Sequence, residues 1–219
     1  MKHAAIDLDR AVAVGVVRSG KRALAKQATR DKVLAAARSM FAERGFDAAT
    51  IRDIADAADL STGAVFANFA DKAELFDAVM AADYDAVISR MAQACAANAS
   101  SGAAEVITTM FRTAYAFFYE QLPLIQACLA HAWSRDEAAQ LFHRSAAARV
   151  LRLLADALEQ GVTRGELDGD MDCALVAEML WEAYLGNYRH AVFGGWTLQR
   201  LGERVQAQTN AVLCGFVRR

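Results

Sequence analysis

A single proline, Pro123, stands in a chain of 219 residues. Proline is the strongest breaker of helices, because it lacks the backbone N–H and its ring collides with the preceding turn. With it almost absent and Ala and Leu abundant, helix is the favoured local state throughout. No run alternates Val, Ile and Thr as a half-buried strand does. The expected class is all-α. Apolar residues make up 55% of the chain, enough for a core, and the 23% that is charged is too little for a disordered polyelectrolyte. The length suits one or two domains.

The net charge of −2 excludes a general polyanion binder, but the charge is unevenly placed. Residues 1–52 carry eleven Lys/Arg against five Asp/Glu, so the first quarter is +6 and the remainder −8. A basic head on an acidic body suits a protein that meets phosphate at one end. The four cysteines, Cys95, Cys128, Cys173 and Cys214, are far apart in apolar helical contexts. They read as buried, reduced thiols and not as a disulfide frame or a zinc site. No apolar run reaches the roughly 20 residues of a membrane span, and residues 11–20 do not make an export signal. The expected location is cytoplasmic, with no membrane, cofactor or metal.

Periodicity divides the chain into helices. Residues 1–28 read as a basic, flexible N-terminal arm. From Thr29, a plausible N-cap, apolar residues recur at three and four positions (Val33, Leu34, Ala37, Met40, Phe41), predicting a helix over 30–44 that Gly45 ends. Thr50 and Asp53 form a capping-box pattern at the head of a helix over 50–59. Ser61 or Thr62 can cap a third helix over 62–68. A fourth, over 71–96, is long enough to connect two parts of a molecule. Further helices are expected at 103–121, 124–133, 135–160, 171–193 and 197–217. Pro123 separates the first two of these by disfavouring helix at Leu122, and Asp172 or Asp170 caps the helix after the loop 161–172.

Two short helices joined by a tight turn and packed on a longer one describe a helix-turn-helix. Ile54, Ala55, Leu60, Val65 and Phe69 have the spacing to form a small core with Phe41 and Phe46. Ala55 and Gly63 are small where the helices approach. Any helical hairpin could show such a pattern, so composition alone leaves DNA binding open.

The stretch GFDAATIRDIADAADLSTGAVFANFADKAELF, residues 45–76, resembles the DNA-binding segment of the TetR family of bacterial transcriptional regulators. The likeness rests on Gly45, Phe46, Thr50, Ile51, Arg52, Asp53, Ile54, Ala55, Ala58, Ser61, Gly63, Phe66, Phe69, Lys72 and Leu75, all in register. It extends back through the first helix, and RGELDGDMD (164–172) resembles the loop before the penultimate helix of that family. Four positions depart from the pattern. Asp59 replaces a turn glycine, Ala49 replaces the first Thr of a pair, Phe66 replaces a frequent Tyr, and Asn68 replaces a frequent His or Tyr.

The resemblance implies a helix-turn-helix DNA-binding domain over 29–76 and a helical ligand-binding and dimerisation domain over 77–219. Helix 62–68 has no cation of its own, so phosphate contacts fall to its neighbours. Candidates are Arg30, Thr50, Arg52 and Lys72, together with the N–H groups of the helix starts and the basic arm. Ser61, Thr62, Gly63, Ala64, Phe66 and Asn68 complete the candidate DNA face, with Thr62 offering a hydroxyl or methyl to base edges. The implied partners are double-stranded DNA with a palindromic operator, a second copy of the chain through the last two helices, and a small apolar or amphipathic effector. Candidate cavity residues are Tyr115, Phe118, His131, Trp133 and Trp181. Core packing is the simpler reading of each.

No nucleophile elbow, phosphate-cradling glycine loop or zinc-protease motif is present. Glu166, Asp168, Asp170 and Asp172 cluster in a loop where helix-cap roles suffice. The expectation is a regulator and not an enzyme, acting as a repressor that releases its operator on binding effector. The alternative is an all-α small-molecule-binding protein or enzyme whose first helices are only structural.

Overall fold

The structure, a computed structural model, describes residues 4–132 and 137–218, with side chains over 23–130 and 144–218. Its elements in order are α1 (Ala4–Ala48), α2 (Ile51–Ala57), α3 (Thr62–Phe66), α4 (Lys72–Ala97) and α5 (Ala103–Phe118). A 3-10 turn (Tyr119–Gln121) then leads to α6 (Leu122–Ala132), α7 (Glu137–Thr163), α8 (Cys173–Gly194) and α9 (Leu198–Leu213). Among the described residues the only extended pairing is a bridge between Leu167 and Val217.

The caps explain where most helices begin. Thr50 and Asp53 form the expected reciprocal capping box at α2. Ser61, and not Thr62, caps α3 by accepting from the Ala64 N–H. Asp71 caps α4, Asp172 caps α8 and Thr197 caps α9, each with its side chain on the N–H three residues on. Gly45 sits at φ 78°, ψ 169°, a region open essentially to glycine alone, and this breaks the helical path inside α1. Asp59 takes the left-handed φ of 55° in the turn between α2 and α3, as its short polar side chain allows.

Three expectations are corrected. Helix α1 does not start at Thr29: the Thr29 hydroxyl donates to the Ala25 carbonyl one turn back, an interior helical bond, and the helix extends to Ala4. The separate arm over 1–28 is therefore helical backbone from Ala4 on; residues 1–3 lie outside the described residues. Pro123 does not end a helix at Leu122. Leu122 keeps helical angles (φ −54°, ψ −38°) and opens α6, so Pro123 occupies the first turn, where a missing N–H costs nothing. Of the free cysteines only Cys128 is buried; Cys95 and Cys173 are half-buried and Cys214 is exposed.

Two apolar cores meet along α4 and α6. The smaller unites Val33, Ala37 and Phe41 of α1 with Ile54, Ala55, Val65 and Phe69, with Phe46 and Leu60 packed on its edge. Leu75, Phe76, Val79 and Met80 of α4 join it, and so do Leu124 and Cys128 of α6. The larger core fills the space among α4, α5, α7, α8 and α9. Tyr84 packs against both. Arg38 of α1 fastens the head to α4 through both oxygens of the nearly buried Asp83, at 2.8 and 3.1 Å.

The loop after α7 is tied down from three sides. Glu166 Oε2 accepts from the Ala103 N–H at 2.9 Å and so caps α5, which has no side-chain cap of its own. Glu166 Oε1 pairs with Arg164 at 2.6 Å. The C-terminal tail lies beside the loop, with the Asp168 N–H on the Phe216 carbonyl and the Arg218 N–H on the Glu166 carbonyl.

Candidate nucleic-acid interface and internal cavity

Helix α3 is short, and Val65 is its one buried residue. Ser61, Thr62 and Gly63 face solvent, Ala64 is half-buried, and Phe66 is 54% exposed, unusual for so large an apolar ring. A Cβ built on Gly63 would meet only Ser61 Oγ, at an ordinary 3.7 Å. The expectation that Gly63 lets two helices approach is therefore corrected: no neighbouring helix crowds this position. Ala55, 1% exposed, does fill a close contact.

The cations around α3 are placed unequally. Arg52 is exposed at the start of α2 and has no protein partner at hydrogen-bond distance among the described residues. Arg30 lays its guanidinium 4.1 Å above the Phe69 ring and donates to the Asn68 carbonyl at 2.8 Å, bracing the end of α3 from α1. The Lys72 ammonium donates to the carbonyls of Phe46, Asp47 and Ala49 at 2.8, 3.3 and 3.1 Å, and sits 4.3 Å from the Phe46 ring. An ammonium has three donors. All three are spent on the turn after Gly45, so in this geometry Lys72 holds the α1–α2 corner and has no donor left for a phosphate.

Asn68 is similarly committed. Its Nδ2 donates to the Ala64 carbonyl at 2.9 Å and the residue is half-buried, so it does not present its amide outward. Thr50 is exposed, but its hydroxyl bonds Asp53 at 2.6 Å. Hydrogen bonds from the Thr50 hydroxyl, then from its N–H, hold the Asp53 carboxyl below the usual range. Ala49, a departure from the family pattern, is fully buried, so the hydroxyl lost there belongs to a packing position.

The larger core encloses a small cavity bounded by α4, α5, α6, α7 and α8. Its free volume is about 20 Å³, room for roughly one water. Of the candidate cavity residues, Phe118 and Trp181 line it. Tyr115 does not: it is fully buried behind the wall, donating to the Tyr184 carbonyl at 2.9 Å and accepting from Asn187 at 3.1 Å. Trp133 lies outside the described residues, and the side chain of His131 does too. The sequence reading missed Tyr84, Cys128, Tyr184 and Tyr188, all on the wall. Tyr84 and Cys128 meet at 3.3 Å between hydroxyl and sulfur, and burial pushes the thiol up to about 11. The signal for them was present in α4 and α8 periodicity, but a periodic tyrosine reads equally well as core.

The outer surface of α8 carries Leu175, Met179 and Phe193 at 53, 50 and 76% exposure. Among the described residues no helix is long and apolar enough to cross a membrane, and no group of acidic, His or Cys side chains is arranged to hold a metal ion.

Residues 33–79 match the family model described as bacterial regulatory proteins, tetR family. The chain is 26% identical to the HTH-type transcriptional repressor KstR2 of Mycobacterium tuberculosis over 182 residues, 81% of this chain and 89% of that one. It is 38% identical to the HTH-type transcriptional repressor AcnR of Corynebacterium efficiens over 82 residues, 37% of this chain and 40% of that one. Among solved structures, a TetR-family regulator of Mesorhizobium loti superposes with a TM-score of 0.70 at 21% identity, over 88% of this chain and 98% of that one. The regulator FadR of Bacillus subtilis, in complex with stearoyl-CoA, superposes with a TM-score of 0.72 at 17% identity, over 81% and 96%. The all-α fold, the capped α2–α3 pair with its open outer face and these matches agree on a DNA-binding transcriptional regulator, with residues 33–79 as the DNA-binding segment of the TetR family.

Proposed function

We propose that the protein is a cytoplasmic, homodimeric repressor that leaves a palindromic operator when a small molecule enters the cavity among α4–α8. The observation that carries this reading is the outer face of α3. Thr62 and Gly63 are exposed and held in place from below by Ser61, Val65 and Arg30, with no packing duty for Gly63. Arg52, Thr50 and the N–H groups at the starts of α2 and α3 supply phosphate contacts, and Ser61, Thr62, Gly63, Ala64 and Phe66 form the surface against the groove. Lys72, Arg30 and Asn68 act one step back, by fixing the corner and the end of α3. Residues 29–76 form the DNA-binding unit and 77–219 the effector and dimer unit. The exposed Leu175, Met179 and Phe193 support pairing of α8 and α9 with a second copy, which sets two α3 helices for two half-sites.

The coupling route follows from the shared wall. Cys128 lines the cavity and packs in the head core, and Tyr84 touches both cores. An effector larger than a water must push the wall outward. Displacement of α4 and α6 then moves the head through Leu124, Cys128 and the Arg38–Asp83 pair. Effector and operator favour different states, so each weakens the other's binding by the same factor.

DNA fragments upstream of the protein's own gene, titrated at several salt concentrations, test the reading. Selective binding with a steep salt slope is expected, and Arg52→Ala lowers that slope by about one. Absence of selective binding to any such fragment would return the chain to the class of small-molecule carriers.

A further inference from the structure

Tyr184 and Tyr188 lie one turn apart on α8, 3% and 1% exposed, with their hydroxyls 2.7 Å from each other. Both line the cavity. Two phenols carry two protons, and the bond between them uses one. The second has no protein acceptor among the described residues. The nearby phenol Tyr115 is satisfied as donor and acceptor by the Tyr184 carbonyl and Asn187. Burial raises both Tyr184 and Tyr188 well above the ordinary phenol value, so the pair stays protonated and offers a donor, never an anion.

Apart from the Tyr84 hydroxyl and the Cys128 thiol, which bond each other, the rest of the wall is apolar. No Asp, Glu, Lys, Arg or His stands among the described residues that line it. Trp181 stacks on Tyr184 at 5.2 Å between ring centroids and 22° between planes, giving one side of the cavity a flat aromatic surface. A carboxylate or phosphate enclosed here would lose its hydration with no opposite charge to replace it. A neutral acceptor atom would instead complete a buried donor, which raises affinity for molecules that carry one and penalises those that do not.

We infer that the cavity takes an uncharged, largely apolar molecule with a single hydrogen-bond acceptor, such as a ketone oxygen, and that this atom takes the spare proton of the Tyr184–Tyr188 pair. The inference rests on the cavity being the effector site and goes beyond it by fixing the charge and polar group of the effector.

The experiment is calorimetric titration of the full chain, free of DNA, with four probes that share one phenyl ring: acetophenone, ethylbenzene, benzoate and benzoyl-coenzyme A. Acetophenone is expected to bind about tenfold tighter than each of the other three, the loss produced by one buried donor left unmet or one charge left unpaired. In the double variant Tyr184→Phe/Tyr188→Phe its advantage over ethylbenzene falls to about twofold while ethylbenzene affinity is kept. Benzoate or benzoyl-coenzyme A binding as tightly as acetophenone overturns the inference. So does an unchanged preference in the double variant, or binding by no uncharged probe. Should the double variant not fold, the ranking of the four probes on the native chain decides by itself. A separate titration on operator DNA keeps the two readings distinguishable: DNA that a bound ketone does not release overturns the regulatory role of the cavity and leaves the chemical preference standing.

Discussion

Lys72 and Arg30, the cations packed against the ends of the helix-turn-helix, are both occupied within the protein, and this changes what their substitution should do. Lys72→Ala removes three bonds to carbonyls and a contact with the Phe46 ring. A loss of about 1–3 kcal/mol of stability is expected, read by thermal melting, with an unaltered salt slope for whatever DNA affinity survives. Gly63→Ala should do the opposite. Nothing crowds the new methyl and Ala favours helix by about 1 kcal/mol, so stability is kept or raised while operator affinity drops about tenfold. Equal affinity in that variant would show that α3 does not approach the groove at Gly63.

The Arg38–Asp83 pair predicts an asymmetry. Asp83 is nearly buried, whereas the Arg38 side chain is 42% exposed. Arg38→Ala strands a buried carboxylate and should cost about 3 kcal/mol. Asp83→Ala leaves an arginine that water can reach and should cost about 1 kcal/mol. Burial raises the Asp83 pKa in the folded state, and Arg38 opposes it. A folded carboxyl with a raised pKa binds its proton more tightly than the unfolded one, so its contribution declines as pH rises from the unfolded value through the folded value. Without Arg38 that window extends further upward, and Arg38→Ala should lose more stability than the native chain in urea melts as pH rises above the ordinary carboxylate value of about 4.

At the scale of elements, what fixes a helix end is sometimes far away in sequence. Helix α5 begins at Gly102 with no local cap, and its first N–H is met by Glu166 from the loop after α7. The bond from Arg164, then that from the Ala103 N–H, lowers the Glu166 pKa. A lowered carboxyl contributes at neutral pH and loses its contribution as pH falls through its folded value. Glu166→Ala should therefore cost about 1 kcal/mol near pH 7, with solvent screening of the exposed third keeping it no larger, and the variant and native chain should converge in acid. The caps of α2, α3 and α8 were legible because Thr50, Ser61 and Asp172 precede their helices directly. Glu166 was not, because its partner lies 63 residues away. The start of α1 was missed for a related reason: threonine before an apolar run reads as a cap until its hydroxyl is seen to bond backward.

On the scale of the whole molecule, the apolar patch of α8 predicts the assembly. Phe193→Asp and Met179→Glu place charges on the face proposed for pairing and should shift the chain to monomer in sedimentation at micromolar concentration, while the head keeps its fold. An unchanged dimer would move the interface elsewhere. Such a monomer should bind operator far more weakly than the native protein, because one head engages one half-site without the gain of the second.

Local chemistry written in the order of the chain was enough for the all-α class, the helix-turn-helix core of Phe41, Ile54, Ala55, Val65 and Phe69, the left-handed Asp59 and the family likeness. These depend on neighbours within a turn or two: propensity, 3.6-residue periodicity and capping. Which donors remain free was decided only when the chain closed on itself. Lys72 meets the Phe46 carbonyl across 26 residues, Asn68 and Arg30 meet across 38, and Tyr115 meets Tyr184 across 69. A hydrogen-bond donor looks available in sequence until tertiary packing shows whether a carbonyl has already taken it, and that is why the candidates could be named from the sequence but their hydrogen-bond partners only from the fold.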